Sequence, residues 1–595
     1  MRQASFFRFW FVGGLLSAVG LFIFFWMIRI NLSPQAEVFR KIGSTYETYR
    51  KTIYPERGNI YDRWGHLLAG NVETYEIGVD LRFVSDPQTI AATLAQVVGL
   101  DYNTVYDSVS EPWDSDLPRY VKLADFIDPE KIDQLDSIEK QLNRQREEAS
   151  SRRRNTVMPN LDGLIWTPML KRSYPEHTLG SNVIGFYAYR ERETARGYFG
   201  VEEKYNQLLA GTPVEVEVAL DPYKMNEIPS VPPGASLMLT LDRDIQAMSE
   251  RILDKHIESS GAKSGVVVVM DPETGEILAM AVTPRLDPNE YWKYSEVFPG
   301  ITAYNRAIGT TYEPGSVFKV LTMAAALDAG VVQPSTPFLD TGVIMVGGVP
   351  IRNWDRGAWG PQDMIGCMQH SLNVCLAWVA TQLGPSKFYN YLNNFGIGHL
   401  TGVDLGGEAS QPFLVPGDNG WYEVNLGTNS FGQGIAATPI QMITAISAVA
   451  NHGKMMAPHV LKAVIENGEQ YSNPPQIIGK PISAETAETL TNMLATSLEE
   501  ESSAALVDGY RVAGKTGTAE IPGPGGYLDS ATNASFVGWG PVDDPRFIVY
   551  VWLEQPQTSP WGSVVAAPLF KEIVENLVIL MDLPPDSVRQ GMAGQ

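Results

Sequence analysis

The 595-residue chain is poor in cysteine and in basic charge, and each shortage excludes a class of protein. Two cysteines are too few for a disulfide scaffold or a four-cysteine zinc site. Lys and Arg number 45 against 68 Asp and Glu, and the net charge of −23 argues against a nucleic-acid partner, whose phosphates need a basic surface. With 44% apolar and only 19% charged residues, the chain is also not disordered over most of its length.

An uncharged run of membrane-spanning length lies at Phe9–Ile28. Its 20 residues include no proline, and about 20 apolar residues cross a bilayer as a helix. A small-residue cleavage site does not follow, which favours an uncleaved anchor over a signal peptide, and the alternative is a buried core helix. Arg2 and Arg8 precede the run and Arg29 follows it, so we expect a cytoplasmic N-terminus. The localisation predicted is a single pass through the cytoplasmic (inner) membrane, with the bulk of the chain extracytoplasmic.

Composition divides the remainder into two large domains that meet near Val231-Pro-Pro-Gly234. In the first, Glu76–Asp80 and Val214–Ala219 alternate as half-buried strands do, and Pro129–Arg146 has helical spacing. The charged run Asn143–Asn155 indicates a solvated loop or helix end, or else a basic contact for an anionic partner. The predicted boundaries are 1–8 for a cytoplasmic N-terminus, 9–29 for the anchor, 30–51 for a stalk, 52–235 and 236–582 for the two domains, and 583–595 for a flexible tail.

The second domain has an α/β pattern. Apolar strand-like runs occur near both of its ends, and apolar helical runs lie between them. This arrangement predicts one sheet built from the two ends of the domain and covered by helices. The strand runs are Val266–Met270, Ile277–Val282, Ala534–Trp539 and Phe547–Leu553, and the helical runs are Phe318–Leu327 and Ile440–Ala450.

Three short motifs in this domain carry candidate chemistry. Ser316 opens a helical pattern, so Lys319 shares its helix face and is predicted to reach its hydroxyl as a base of lowered pKa. Ser371-Leu-Asn373 adds a hydroxyl for proton relay and an amide. Lys515-Thr-Gly-Thr518 has strand propensity with a glycine that permits close approach of a ligand. Taken singly, the first two motifs are more typical of helix caps, and the third is as consistent with an ordinary strand as with a binding site.

In this order, the three motifs are the signature of penicillin-binding proteins and serine β-lactamases. The chain resembles class B penicillin-binding proteins, the membrane-anchored peptidoglycan D,D-transpeptidases, also at Arg57–Ala69, Arg172–Pro175 and Gly200–Asn206. The resemblance implies an α/β (α+β type) transpeptidase fold, with an antiparallel sheet and helices on both faces, behind an elongated, mostly β or α+β pedestal. The pedestal motif residues that it implies are Arg57, Gly58, Asp62, Arg63, Gly65, Arg172 and Glu202.

The resemblance also implies a mechanism. Ser316 attacks the D-Ala–D-Ala carbonyl of a stem peptide, with Lys319 as base and Ser371 relaying the proton to the leaving amine. Asn373 holds the amide of the donor peptide, and the backbone N–H groups of Ser316 and Thr518 form the oxyanion hole. An amine of a neighbouring stem then takes the acyl group. Neither a cofactor nor a metal is expected.

Binding roles and partners follow from the same resemblance. Lys515, Thr516 and Thr518 are expected to hold the terminal carboxylate, beside Gly517. The partners implied are peptidoglycan stem peptides on lipid-linked or nascent glycan strands, β-lactam antibiotics, the membrane, and an FtsW-type membrane glycosyltransferase with other division proteins.

Within class B, the division-specific FtsI-like enzymes are more similar than the elongation type, which stays an alternative. Ser430–Gly434, Ser535–Gly538 and Ala566–Phe570 carry this similarity. Trp539 and Trp561 stand where smaller residues are typical, and we expect them to alter the rim of the cleft.

Other chemistries compete for the same residues. A Ser-His-Asp hydrolase lacks its Gly-x-Ser-x-Gly motif around Ser316. Cys367 and Cys375 can be packed thiols, zinc ligands with Asp363 and His370, or a disulfide, which requires a helix break near Ser371. A β-lactamase or β-lactam sensor and a non-catalytic scaffold for a wall glycosyltransferase are the remaining alternatives.

Overall fold

The computed structural model describes residues 3–33, 36, 48–111, 120–151, 158–189, 195–219, 231–501, 503–523 and 526–593. Most of the predicted stalk, the start of the predicted cytoplasmic N-terminus and the end of the charged run Asn143–Asn155 lie outside these residues. The chain forms two compact units, residues 1–56 with 210–234 and residues 57–209 with 235–595.

The first unit contains a long apolar helix and a two-stranded ribbon. Helix α1, Gln3–Asn31, includes the stretch Phe9–Asn31, which is long and apolar enough to cross a membrane. At about 1.5 Å per residue, this stretch exceeds the roughly 30 Å of a bilayer core. Strand β1, Thr48–Ile53, pairs antiparallel with β8, Val214–Ala219, which confirms the strand predicted at the latter position.

The pedestal portion of the second unit packs three helices on a sheet. The predicted helix begins at Pro129 and extends to Ser151, with Ile132 and Leu135 buried against the core. The strands here are β2 Ile60–Tyr61, β3 Leu67–Asp80, β4 Tyr120–Ile127, β5 Leu164–Ser173, β6 Phe186–Ala188 and β7 Arg196–Tyr198. The helices are α2 Pro87–Val97, α3 Tyr102–Ser110, α4 Pro129–Ser151, α5 Ser181–Ile184, α6 Gly200–Lys204 and α7 Asn206–Ala210.

A mixed sheet joins this portion to the following one. Its strand order is Glu469–Ser472 (β18), Leu461–Glu466 (β17), Ser236–Leu239 (β9), β2, β3 and β4, with β5 also paired to β3. Strand β2 runs parallel to β9, Ser236–Leu239, with Ile60 opposite Leu237. The predicted domain boundary at 235/236 therefore falls at the first residue of β9. This strand pairs with β2, which belongs to the preceding domain, in the same sheet.

A five-stranded antiparallel sheet, in the order β11-β10-β22-β21-β20, forms the centre of the following portion. Alternate residues of β10 enter two different cores, Val266 and Val268 on one face and Val267 and Val269 on the other. Because helices cover both faces, the strands are apolar throughout rather than alternating. The predicted sheet is confirmed. Its strands are β10 Ser264–Met270, β11 Ile277–Val282, β20 Ala513–Gly523, β21 Gly526–Gly540 and β22 Phe547–Glu554.

The helices of this portion are α8 Arg243–Ser260, α9 Tyr294–Val297, α10 Arg306–Gly309, α11 Lys319–Asp328, α12 Met364–Gln369, α13 Asn373–Leu383, α14 Pro385–Asn394, α15 Glu423–Asn429, α16 Pro439–Ala450, α17 Ala484–Glu500, α18 Gly562–Leu580 and α19 Asp586–Ala593, with 3₁₀ helices at Pro288–Lys293 and Gly315–Phe318. The short strands are β12 Phe338–Asp340, β13 Val343–Val346, β14 Val349–Arg352, β15 Gly360–Gln362, β16 Met455–Met456, β17 Leu461–Glu466, β18 Glu469–Ser472 and β19 Ile477–Gly479.

The C-terminal segment differs from the expectation of a flexible tail. Residues 583–595 contain helix α19, Asp586–Ala593. Asp586 accepts a hydrogen bond from the Arg511 backbone N–H at 2.6 Å, and Arg589 forms an ion pair with Asp543 at 2.6 Å. These contacts hold the described part of the segment against the domain.

Candidate active site

Ser316 lies in the 3₁₀ turn Gly315–Phe318, which leads directly into α11. The helix predicted from Phe318 thus starts one residue later, after this tighter turn. Gly315 has φ +59°, and a Cβ there would meet the Thr518 carbonyl oxygen at 2.7 Å. Only glycine combines this conformation with so close an approach, so the turn that presents Ser316 is pressed against strand β20.

The side chain of Lys319, in the first turn of α11, is fully buried. Its Nζ donates hydrogen bonds to the Ser371 carbonyl oxygen at 2.6 Å, to Ser371 Oγ at 3.1 Å and to Asn373 Oδ1 at 2.8 Å. Burial, followed by the nearby positive charge of Lys515, lowers the pKa of Lys319 well below 10.5. The first two motifs therefore meet through this amine, whereas the predicted contact with the Ser316 hydroxyl stays a prediction.

The second motif lies at a break between two helices. Helix α12 ends at Gln369 and α13 begins at Asn373, and Ser371 between them has φ +53°. A serine in this left-handed region is strained, and such strain is common at functional sites. The break is the one that a bridge between the two cysteines requires.

Cys367 and Cys375 form that bridge, with 6.0 Å between their Cα atoms. A disulfide leaves neither sulfur as the thiolate that a zinc ligand must be. The other two residues of the proposed zinc set have different contacts: Asp363 caps α12 through the Gly366 N–H at 2.8 Å, and the His370 ring stacks on Trp359. Of the alternatives for this cysteine pair, the structure has the disulfide.

The third motif occupies β20, paired with β21. Lys515 is buried, and its Nζ donates to Thr516 Oγ1 at 3.2 Å. Burial, partly offset by the charge of Glu501, lowers the pKa of Lys515 to about 8. Thr518 Oγ1 accepts a hydrogen bond from the Gly562 N–H at 3.0 Å, which ties the strand to the start of α18.

Gly517 explains how the strand reaches the Ser316 turn. A Cβ at this position would lie 2.9 Å from Val317 Cγ1 and well inside contact distance of Ser535 Oγ. A residue with a side chain would thus push β20 away from the Ser316 turn. The three motifs are 199 positions apart from Ser316 to Lys515 in the sequence, yet they lie together in one site. Lys319 contacts the second motif, and the Ser316 turn packs against Gly517 of the third.

Two pedestal arginines converge on one buried carboxylate. Glu202 accepts from Arg57 Nε at 2.8 Å and from Arg172 Nε at 2.8 Å, and Arg172 also donates to the Gly58 carbonyl at 2.8 Å. Burial by itself would raise the pKa of Glu202, but the two guanidinium groups outweigh it and hold the pKa below 4.5. The structure thus brings four of the predicted pedestal residues together.

The other three pedestal residues form a separate turn. Asp62 Oδ1 accepts from the backbone N–H groups of Trp64 at 2.9 Å and His66 at 2.8 Å, around Gly65 at φ +92°. Arg63 forms an ion pair at 3.2 Å with Glu276, the residue just before β11. This turn therefore connects the pedestal portion to the five-stranded sheet.

Of the two unusual tryptophans, only Trp561 is exposed, and it adjoins Gly562, which binds the third motif. Trp539 is fully buried in the sheet, so the expectation that it alters the rim is wrong. Trp561 is 41% exposed and contacts Trp354. Trp354 and its neighbours Arg352 and Asn353 were missed by sequence reasoning, because a β-hairpin brings them to the second motif and no motif marks them.

Comparisons with known proteins agree with this arrangement. The penicillin binding protein transpeptidase domain matches residues 265–575, and the penicillin-binding protein dimerisation domain matches residues 52–233. Stage V sporulation protein D of Bacillus subtilis is 32% identical over 544 residues, which cover 89% of this chain and 79% of that protein. Peptidoglycan D,D-transpeptidase FtsI of Escherichia coli is 28% identical, over 94% of this chain and 89% of that protein.

Solved structures share the fold over most of the chain. Penicillin-binding protein 3 of Mycobacterium tuberculosis, complexed with aztreonam, has a TM-score of 0.66 at 25% identity, covering 90% of this chain and 98% of its own. Penicillin-binding protein 2X of Streptococcus thermophilus shows the same fold with a TM-score of 0.72, covering 89% of this chain and 80% of its own. The chain therefore belongs to the class B penicillin-binding proteins, in which a dimerisation domain precedes a transpeptidase domain.

Proposed function

We propose that the chain cross-links peptidoglycan stem peptides through an acyl-enzyme on Ser316. The observation that carries this proposal is the fully buried Lys319 amine, whose pKa is lowered and which contacts both Ser371 and Asn373. A serine hydroxyl is a weak nucleophile until a neighbouring base accepts its proton. A lysine can be that base only in its neutral form, which burial favours here.

The hydrogen bonds of Lys319 are consistent with a neutral amine. Its two N–H groups suffice for the Ser371 carbonyl and Asn373 Oδ1, the two shorter contacts. In the neutral amine the 3.1 Å contact with Ser371 Oγ is therefore no longer a donated hydrogen bond, and the lone pair is free to accept the Ser316 proton. Ser371 Oγ then relays this proton to the leaving amine. The proton so moved is the one that the leaving amine needs.

The reaction balances without a cofactor. Ser316 Oγ forms an ester bond to the penultimate D-Ala carbonyl, the peptide C–N bond breaks, and the terminal D-Ala leaves as an amine with the serine proton. The backbone N–H groups of Ser316 and Thr518 stabilise the oxyanion that develops on the carbonyl. An amine of a second stem attacks the ester, restores Ser316 and completes the cross-link.

The terminal carboxylate of the donor peptide binds beside Lys515, Thr516 and Thr518. Among the described residues, no acidic side chain forms an ion pair with Lys515, although it is buried. A buried ammonium without a counter-ion is costly, and a substrate carboxylate supplies the missing charge. Penicillins carry a carboxylate on the carbon attached to the β-lactam nitrogen, as D-Ala–D-Ala does on the carbon attached to its amide nitrogen, and so fit the same contacts.

Labelling with a fluorescent penicillin tests this function. Wild-type protein should be labelled, and mass spectrometry should place the adduct on the peptide that contains Ser316. Ser316→Ala should abolish labelling, whereas Ser259→Ala, on the exposed side of α8, should leave it intact. An equal adduct in Ser316→Ala would overturn the assignment of the nucleophile.

The anchor orientation and the biological role are also proposals. The N-terminus lies in the cytoplasm and Phe9–Asn31 crosses the inner membrane once, which the arginines before this helix favour. The role is septal wall synthesis, supported by the similarity to FtsI over 94% of the chain. Depletion of the protein in its host should then give filaments without septa, and swollen round cells would instead indicate an elongation role.

The membrane partner is an FtsW-type glycosyltransferase, contacted by Phe9–Asn31 and assisted by the pedestal. A cross-linking enzyme needs glycan strands that another enzyme polymerises. Replacing Phe9–Ile28 by polyleucine should abolish capture of the glycosyltransferase in detergent while penicillin labelling persists. Capture that survives both this replacement and removal of the pedestal would contradict the partner.

A further inference from the structure

A buried acid–amide pair lies behind the second motif. Asp340, at the end of β12, and Asn353, just after β14, are 1% and 3% exposed. Asp340 Oδ2 accepts hydrogen bonds from Asn353 Nδ2 at 2.7 Å and from the Trp359 N–H at 2.8 Å. Buried carboxylates need such donors, so Asp340 holds Asn353 in one orientation.

The other end of the Asn353 amide reaches the helix that carries Asn373. Asn353 Oδ1 accepts from the Val374 N–H at 3.1 Å, in the first turn of α13. The first N–H groups of a helix lack intrahelical partners, and the residue before α13, Leu372, has no side-chain acceptor for them. Asn353 thus caps this helix from a hairpin about twenty positions earlier in the chain.

The residue next to Asn353 holds Asn373 itself. The Arg352 carbonyl accepts a hydrogen bond from Asn373 Nδ2 at 3.3 Å, while Asn373 Oδ1 accepts from Lys319 Nζ at 2.8 Å. Ile351 of the same hairpin packs with Ala377 of α13 in a small apolar cluster. A shift of this hairpin would therefore turn the Asn373 amide and move an acceptor away from Lys319.

We propose that Asn353 is a positioning residue for the transpeptidase reaction. It fixes the start of α13 and, together with Arg352, the orientation of the Asn373 amide against Lys319. The inference rests on the proposed roles of Lys319 and Asn373. Position 353 needs an amide, because one side chain must donate to the Asp340 carboxylate and also accept from the Val374 N–H.

Asn353→Asp tests this requirement with little change of shape. The introduced carboxylate still accepts from Val374 but repels Asp340, so the acylation rate by penicillin should fall about 10- to 100-fold, as for misplaced catalytic groups. The dissociation constant of the initial non-covalent complex should change much less. Lowering the pH should raise the variant-to-wild-type rate ratio, because a protonated carboxyl donates to Asp340 again.

The reciprocal double variant, Asp340→Asn with Asn353→Asp, restores a donor opposite the introduced carboxylate, although the Trp359 N–H then loses its acceptor, so only part of the rate should be recovered. The matched control is Asn160→Asp, a pedestal asparagine that is 4% exposed and should acylate at the wild-type rate. If the single variant does not fold, the double variant alone decides: a rate recovered to within about tenfold of wild type supports the inference, and a greater loss in the folded protein overturns it.

A wild-type rate in folded Asn353→Asp, or a rate ratio that ignores pH, also overturns the inference. These failures are separable from failure of the proposed function. Labelling that persists in Ser316→Ala contradicts the function, whereas labelling that is lost in Ser316→Ala but normal in Asn353→Asp contradicts only the role of Asn353.

Discussion

Trp354 and Trp561 contact each other edge to face, with 5.2 Å between their ring centroids. Trp354 Nε1 donates to the His370 carbonyl at 3.2 Å, next to Ser371. Trp561 precedes Gly562, whose N–H binds Thr518 Oγ1. The ring pair therefore connects the wall of the second motif to that of the third.

We expect this contact to couple the two tryptophans energetically. A double-mutant cycle of Trp354→Ala and Trp561→Ala should give a coupling free energy at the low end of about 0.5–1.5 kcal/mol, because both rings are partly exposed. Urea unfolding of the four proteins measures it. Trp292, an exposed tryptophan that does not contact Trp354, should give no coupling in the same cycle, and a coupling of equal size there would contradict the interpretation.

Lys319→Arg should lower penicillin acylation by orders of magnitude, because a guanidinium stays protonated and cannot accept the serine proton. In the wild type, acylation should fall as the pH drops below the lowered pKa of Lys319, since the protonated amine is not a base. Stopped-flow labelling against pH measures both effects. Near-normal acylation by a folded Lys319→Arg protein would mean that another group is the base.

Lys515 should make the stability depend on pH in a defined window. Burial lowers its pKa to about 8 from 10.5, so between these values the unfolded chain binds more protons than the folded one. The free energy of unfolding should therefore rise with pH across this window. Below the window, the folded protein carries the full cost of burying the protonated amine. Lys515→Met should flatten the rise in unfolding free energy from pH 8 to 10, relative to wild type and to Lys140→Met on the surface of α4. An unchanged slope would contradict the lowered pKa.

Gly517→Ala should destabilise the protein by about 1–3 kcal/mol, as overpacking typically does, and should slow acylation. The added methyl group would contact Ser535 Oγ and Val317. Combining it with Ser535→Gly removes the first of these contacts and should recover part of the stability in thermal unfolding. If the double variant is no more stable than Gly517→Ala, the contact with Val317 alone causes the destabilisation.

Glu202→Ala should lower the free energy of unfolding by about 3–5 kcal/mol, because it leaves Arg57 and Arg172 buried without a counter-charge. The exposed pair of Lys140 and Asp136 is the matched control, and Asp136→Ala should cost less than about 1 kcal/mol. Denaturant unfolding measures both. Similar losses of unfolding free energy in the two variants would contradict a larger contribution of the buried Glu202 ion pairs to stability.

The sheet and the motifs were predictable, because each leaves a local pattern in the sequence. Val266–Met270 is apolar at every position since helices cover both faces of its strand. The contact between Lys319 and the second motif was less accessible, because it depends on the left-handed turn at Ser371, and no residue type announces that turn as glycine would. Asn353 left no signal at all, since its role arises only when a hairpin folds back onto α13.

The parallel pairing of Ile60 with Leu237 has a consequence for how this chain can evolve. A strand of the dimerisation segment completes hydrogen bonds with a strand that leads into the transpeptidase segment, and the Leu237 N–H donates to the Asn59 carbonyl at 2.8 Å. Recombination between distant relatives near residue 235 would pair strands of different ancestry and leave backbone groups mismatched at the seam. We therefore expect hybrid proteins to fold when the exchanged segment of the gene encodes both paired strands together.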